Sequence, residues 1–237
     1  MASRQEEKRR RREERLAKEA AAARAAARHK RLRRVLGGGA GVAAVAAVVA
    51  AIALGAGDGG GGQDGPRPAS AGGTELPELA RQEIGDLEAA AGAAGCKLGN
   101  PESAGEQHED TTFTAADYET NPPTSGTHNP MPAEDGVYEP GNALDLGMSI
   151  HALEHSRIAV QYKPGTPAAV VAKLEAFLAE SDGYHLLLYE NTTGMPYEVA
   201  ATAWTHSLTC PTYSDKVIDA LRTFRTSYID QGPEQVP

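Results

Sequence analysis

From Arg157 to Tyr162 apolar and polar positions alternate, in the run Arg-Ile-Ala-Val-Gln-Tyr. A period of two predicts a strand with Ile158, Val160 and Tyr162 on one face. The period then changes. Thr166 can cap a helix and Pro167 suits its first position. Val170, Leu174, Phe177 and Leu178 follow at helical spacing, so the helix is expected to reach about Ser181 and stop at Gly183. Tyr184–Tyr189 reads as an apolar strand, Asn191–Gly194 as a turn, and Tyr197–Leu208 as a third strand. Ser214 opens a last helix through Ile229, burying Val217, Leu221, Phe224 and Tyr228, and Gly232 and Pro233 end it. Upstream, Leu76–Ala94 reads as a helix with Leu79, Ile84 and Leu87 near one face. Strand, helix, strand implies a right-handed crossover and a parallel pair, and the strand after Gly194 should return as a hairpin partner. The expectation is an α+β domain over residues 76–237. It holds a small three- to four-stranded mixed sheet covered by two helices, with a long irregular loop from 117 to 147 draped over it.

The chain before this domain has another pattern. Val35–Ala56 is 22 residues without a charge, mostly Ala, Val and Gly. That length suffices to cross a hydrocarbon core of about 30 Å, so one transmembrane helix is expected to precede the domain. Residues 1–34 hold 14 of the 23 Lys and Arg beside five acidic residues, a balance of +9. The remainder carries 9 basic and 27 acidic residues, a balance of −18. The basic arm precedes the span, so the positive-inside rule places residues 1–34 in the cytoplasm and the domain outside the membrane. The arm suits the anionic head groups of a lipid bilayer. A cleaved signal peptide is the rival reading and gives the domain the same address. An acidic body repels phosphate, which argues against a nucleic-acid partner. Residues 57–75, with Gly59-Gly60-Gly61-Gly62 and two prolines, read as a flexible linker.

The candidate chemistry lies between Asn121 and His155. This stretch is rich in Pro and Gly and contains three of the chain's seven histidines, and loops of this kind often carry function. His151, Glu154 and His155 form H-x-x-E-H, whose first and last positions share a face on one helical turn. Inverted zinc peptidases use the same spacing with the Glu as general base, although no downstream helical Glu stands out as a further ligand. His128, in a loop stiffened by Pro122 and Pro123, is the natural third ligand, and His206, on the face of the third strand that holds Trp204, is a candidate fourth. Glu154, Ser125 and Trp204 are expected around the ligands, with Glu154 orienting a neighbour. Three imidazoles with an open position suit zinc, whereas Met131 and Met148 nearby would suit copper. The alternative is that these histidines only hydrogen-bond the loop backbone. His108, beside Glu106, Glu109 and Asp110, reads as a solvated loop residue. Cys96 and Cys210, the two cysteines of the chain, lie on the outer side, where an even count reads as a disulfide. No Ser-His-Asp set, P-loop or dinucleotide fingerprint occurs.

Asn121-Pro122-Pro123-Thr124-Ser125-Gly126-Thr127-His128, then Gly136-Val137-Tyr138, His151-Ala152-Leu153-Glu154-His155 and Ala203-Trp204 together resemble the bacterial domain of unknown function 3105 family. The resemblance spans residues 96–231. Here Thr127 and Ser156 stand where the family pattern has Pro and Gly. The resemblance implies a basic N-terminus, one membrane span and an outer domain, and carries no activity with it. The sequence thus supports a membrane-anchored module binding copper or zinc. A non-enzymatic envelope domain for a protein or glycan partner, or a metal-dependent hydrolase or oxidase, stand as alternatives.

Overall fold

The structure, a computed structural model, describes residues 65–68, 75–142 and 144–234. Within them lie helices α1 (Leu87–Ala93), α2 (Leu146–Glu154), α3 (Ala168–Ala179) and α4 (Lys216–Tyr228). The strands are β1 (Lys97–Gly99), β2 (Gly136–Val137), β3 (Ile158–Tyr162), β4 (Leu186–Glu190), β5 (Val199–Ala203) and β6 (His206–Cys210). They form one mixed sheet in the order β1-β6-β5-β3-β4-β2. β3 and β4 are parallel and connected through α3, β2 adds parallel to β4, and the remaining neighbours are antiparallel.

The architecture is α+β with a mixed sheet, but among the described residues the sheet has six strands rather than three or four. One extra strand arises because the expected strand Tyr197–Leu208 is a hairpin. Thr205 takes a positive φ of 59°, and Ala203 pairs with His206 across the turn. No Gly or Asn marks that turn, so the apolar run reads straight through it. The other two extra strands, β1 and β2, have three and two residues and are too short to show a period. The helix expected over Leu76–Ala94 is only its last part, α1, which Asp86 caps by accepting from the Ala89 amide. Before it the chain has no regular secondary structure. Pro77 and Gly85 interrupt helical hydrogen bonding, and Asp219 accepts from the Glu83 and Ile84 amides. Leu79 and Ile84 still pack against the core, so the apolar positions are right and the period is not.

The sheet is buried on both faces. On one, Ile158, Val160, Tyr162, Leu186, Leu188, Val199, Ala201 and Leu208 meet α1, α3 and α4. α4 contributes Val217, Leu221 and Phe224, and α3 contributes Leu174, Phe177 and Leu178. Three helices therefore cover this face, where two helices were expected for the whole sheet. On the other face, Ala159, Leu187 and Tyr189 pack against Ile150, Ala152 and Leu153 of α2 and against Ala133, Tyr138 and Leu144 of the long loop. Strands buried on both sides read as continuous apolar runs, as Leu186-Leu187-Leu188 does. The Cys96–Cys210 disulfide joins the end of α1 to the end of β6 on the three-helix face.

The expected basic arm (1–34) and transmembrane helix (35–56) lie outside the described residues, as does most of the linker (57–75). Among the described residues no helix is long and apolar enough to cross a membrane. One described piece of the linker, Arg67, pairs antiparallel with Val137 at the β2 edge and forms ion pairs with Glu139 and Glu175.

Candidate metal site

The long loop is held on its face of the sheet by a second, irregular layer of pairing. Ser125 Oγ accepts from the Ala104 amide at 3.0 Å, and the Gly126 amide donates to Gly105 O at 3.0 Å. The His128 amide donates to Gln107 O and the Glu109 amide to His128 O. These bonds lay residues 103–109 alongside 125–128, so His108 and His128 form an isolated parallel bridge. Tyr118 adds a hydroxyl bond to Thr127 O, and Thr205 in the hairpin turn donates its amide to Thr124 O. Asp145 caps α2 through the Met148 amide and thereby starts the helix that carries His151 and Glu154.

Four side chains converge under this loop. His108, His128, His151 and Glu154 each offer a ligand atom, and the four atoms lie within 4.8 Å of one another. Glu154 sits at the centre. Its Oε2 is 3.2 Å from His128 Nε2, 3.3 Å from His108 Nε2 and 3.8 Å from His151 Nε2. His128 and Glu154 are almost completely buried, while the His108 side chain is 40% exposed and opens the site to one side. The His128 and Trp204 rings meet in a T-shaped contact with centroids 5.9 Å apart.

The hydrogen bonds decide which nitrogens are free. His128 Nδ1 lies 2.7 Å from Gly126 O, and His151 Nδ1 lies 2.7 Å from Asn129 O. A carbonyl oxygen only accepts, so in both rings Nδ1 carries the proton. In the neutral ring Nε2 then presents its lone pair to the cluster, which is how metal-ligating imidazoles are usually fixed. Burial lowers the pKa of His128 and His151, against which their carbonyl bonds push up, and so favours the neutral rings. Burial raises the pKa of Glu154, partly opposed by His108.

The histidines and the glutamate singled out from the sequence divide into three sets. His128, His151 and Glu154 come together, but Glu154 stands among the ligand atoms and not behind them. His155, the C-cap of α2, lies next to the group. Its Nε2 is 3.0 Å from His151 Nε2 and 3.3 Å from Glu234 Oε2. His206 is on the opposite face of the sheet, stacked on Tyr228 at 4.0 Å, because the turn at Trp204 and Thr205 ends the strand that was to align it with Trp204. His108 takes the place expected for His206. Nothing local identifies it, since only the long-range pairing with 125–128 brings it in. Ser125 keeps that pairing in register, and Trp204 packs the wall behind His128. Met131 is exposed and Met148 packs against the core beneath the loop, and neither belongs to the group. Both cysteines are committed to the disulfide.

No curated protein and no solved structure matches the chain. The sequence profile of the family described as "Protein of unknown function (DUF3105)" matches residues 109–236, which include His128, His151, Glu154, His155 and Glu234 but not His108. The chain belongs to the DUF3105 family.

Proposed function

We propose that the protein is a metal-binding module whose His108, His128, His151 and Glu154 hold a zinc ion. This reading rests on the contact between His128 and Glu154. With its proton on Nδ1, His128 turns an acceptor nitrogen toward an acceptor oxygen across 3.2 Å in a buried place. Two facing lone pairs repel unless a proton or a cation lies between them. A tetrahedral zinc ion with bonds of about 2.1 Å sets its ligands about 3.4 Å apart. The distances from Glu154 to the three imidazoles, 3.2, 3.3 and 3.8 Å, match such edges. Three nitrogens and one carboxylate oxygen favour zinc over copper(I), because no thioether joins the group.

In this reading the domain faces an oxidising space outside the membrane, held there by the N-terminal span. The Cys96–Cys210 bond supports that address. Full-length protein purified without a His tag should contain at least one equivalent of zinc, and H128A should lose it. Wild-type protein that stays metal-free after equilibration with zinc would instead leave a hydrogen-bonded structural cluster, as in an interaction domain for an envelope protein or glycan.

A metal-dependent hydrolase is the second reading, favoured by the exposed flank at His108. If Glu154 stays off the ion, three histidines leave a fourth position open and Glu154 stands beside it as a general base. Zinc retained by E154Q with loss of hydrolysis of a peptide or ester would select this reading.

A further inference from the structure

We propose that the site is dinuclear, with a second divalent cation beside the first, held by His155 and Glu234 and bridged to the first by Glu154. This rests on the zinc reading above. Glu154, His155 and Glu234 form a second group whose ligand atoms lie within 4.8 Å of one another, and it shares Glu154 with the first. A carboxylate has two oxygens and can therefore serve two ions, as in two-metal sites where the ions lie about 3.5–4 Å apart. Glu154 is 1% exposed, so its carboxylate is shielded from solvent beside both groups.

The second group is built in, although Glu234 lies close to the end of the chain. The tail is fastened to the C-terminal end of α2 at successive points. The Asp230 amide donates to Ser156 O, the Gly232 amide to Ser156 Oγ, Ser156 Oγ to Glu234 O, and the Glu234 amide to Glu154 O. Carbonyls at a helix end need such donors, and here the segment that supplies one also carries a carboxylate. The contact is close enough to require glycine. A Cβ at Gly232 would lie 2.5 Å from the Ser156 nitrogen and 2.6 Å from Glu154 O. This places Glu234 Oε2 3.3 Å from His155 Nε2.

The two groups together supply four imidazoles and two carboxylates, a donor set suited to zinc or another first-row divalent ion.

Zinc stoichiometry tests this. Full-length protein freed of metal and equilibrated with zinc ions should bind two per chain. E234Q and H155A should each bind one, and the ion retained by E234Q reports that the first group is intact. Glu234 is more than half exposed, so E234Q is expected to fold. Two ions in both wild type and E234Q, or one ion in both, would overturn the dinuclear site while leaving the zinc reading standing. No zinc in the wild type would overturn both.

Discussion

His128 Nε2 and Glu154 Oε2 face each other across 3.2 Å in the buried layer between α2 and the long loop, and both are acceptors when His128 is neutral and Glu154 ionised. With Glu154 ionised the pair is costly without a cation and favourable with one, so a substitution at Glu154 should move folding and binding in opposite directions. In E154Q the amide NH2 donates to a lone pair that the carboxylate opposes. Metal-free E154Q should therefore be more stable than metal-free wild type by about 1 kcal/mol, the net value of one hydrogen bond. Its zinc affinity should fall at least about 100-fold, since even outer-shell partners change affinity by about 10–100-fold. Thermal unfolding with a chelator and a competitive zinc titration check the two signs. A metal-free E154Q less stable than wild type would mean that a proton already bridges the pair.

Acid should destabilise the metal-free protein through its buried imidazoles. Burial is the largest cause lowering the pKa of His128, His151 and His155 from 6.5, with His151 adding to the effect on His155. Below 6.5 the unfolded chain takes up protons before the folded one. Stability is thus full above 6.5 and is lost as pH falls toward the folded values. Glu154 has the opposite sign. Burial raises its pKa above 4.5, so its contribution is present below 4.5 and lost as pH rises through the folded value. The two windows can be separated by chemical denaturation at several pH values. From pH 7.5 to pH 5.5 the midpoint should drop in wild type, and drop less in H128Q and H151Q. Bound zinc should dissociate over the same range, because its ligands must shed protons to bind.

The disulfide is on the far side of the sheet from the histidines, which makes the two separable. Cys96 and Cys210 are 114 residues apart in sequence. A loop that long is worth about 4–5 kcal/mol in the chain-entropy model, and removing a native bridge commonly costs about 2–5 kcal/mol. The C96A/C210A double variant should lose stability of that size in denaturant while keeping its zinc stoichiometry. Zinc lost under conditions where the variant remains folded would mean that the faces are coupled.

Gly147 is a point of close approach between α2 and the loop. A Cβ there would lie 2.5 Å from Phe113 Cδ2 and 2.9 Å from the Asn129 nitrogen. Asn129 O is the acceptor that holds His151 Nδ1. G147A should therefore destabilise by about 1–3 kcal/mol, as overpacking does, and weaken zinc binding by displacing the residue that orients His151. Binding at wild-type affinity in G147A would show that the Asn129 carbonyl does not set the ring.

Local pattern alone determined much of this protein. The alternation over Arg157–Tyr162, the helical spacing of Leu174, Phe177 and Leu178, and the H-x-x-E-H turn each concern residues a few positions apart. Neighbouring side chains and backbone geometry settle such features. The cysteine count likewise pointed to the bridge, because two cysteines have a single pairing. What the tertiary structure decided depends on contacts between distant segments. His108 reaches the site only because the backbone of 103–109 pairs with 125–128, and the residues around it read as charged loop. His206 leaves the site because Thr205 adopts a positive φ without a glycine to mark it. The irregular segment before α1 keeps its apolar contacts but gives two of its amides to Asp219, which lies 136 positions away from Glu83. Glu234 meets His155 because a glycine lets the tail press against the end of α2. Periodicity records which residues are buried. Which buried residues meet is set by loop pairing and turns, whose hydrogen bonds involve backbone atoms that every sequence shares.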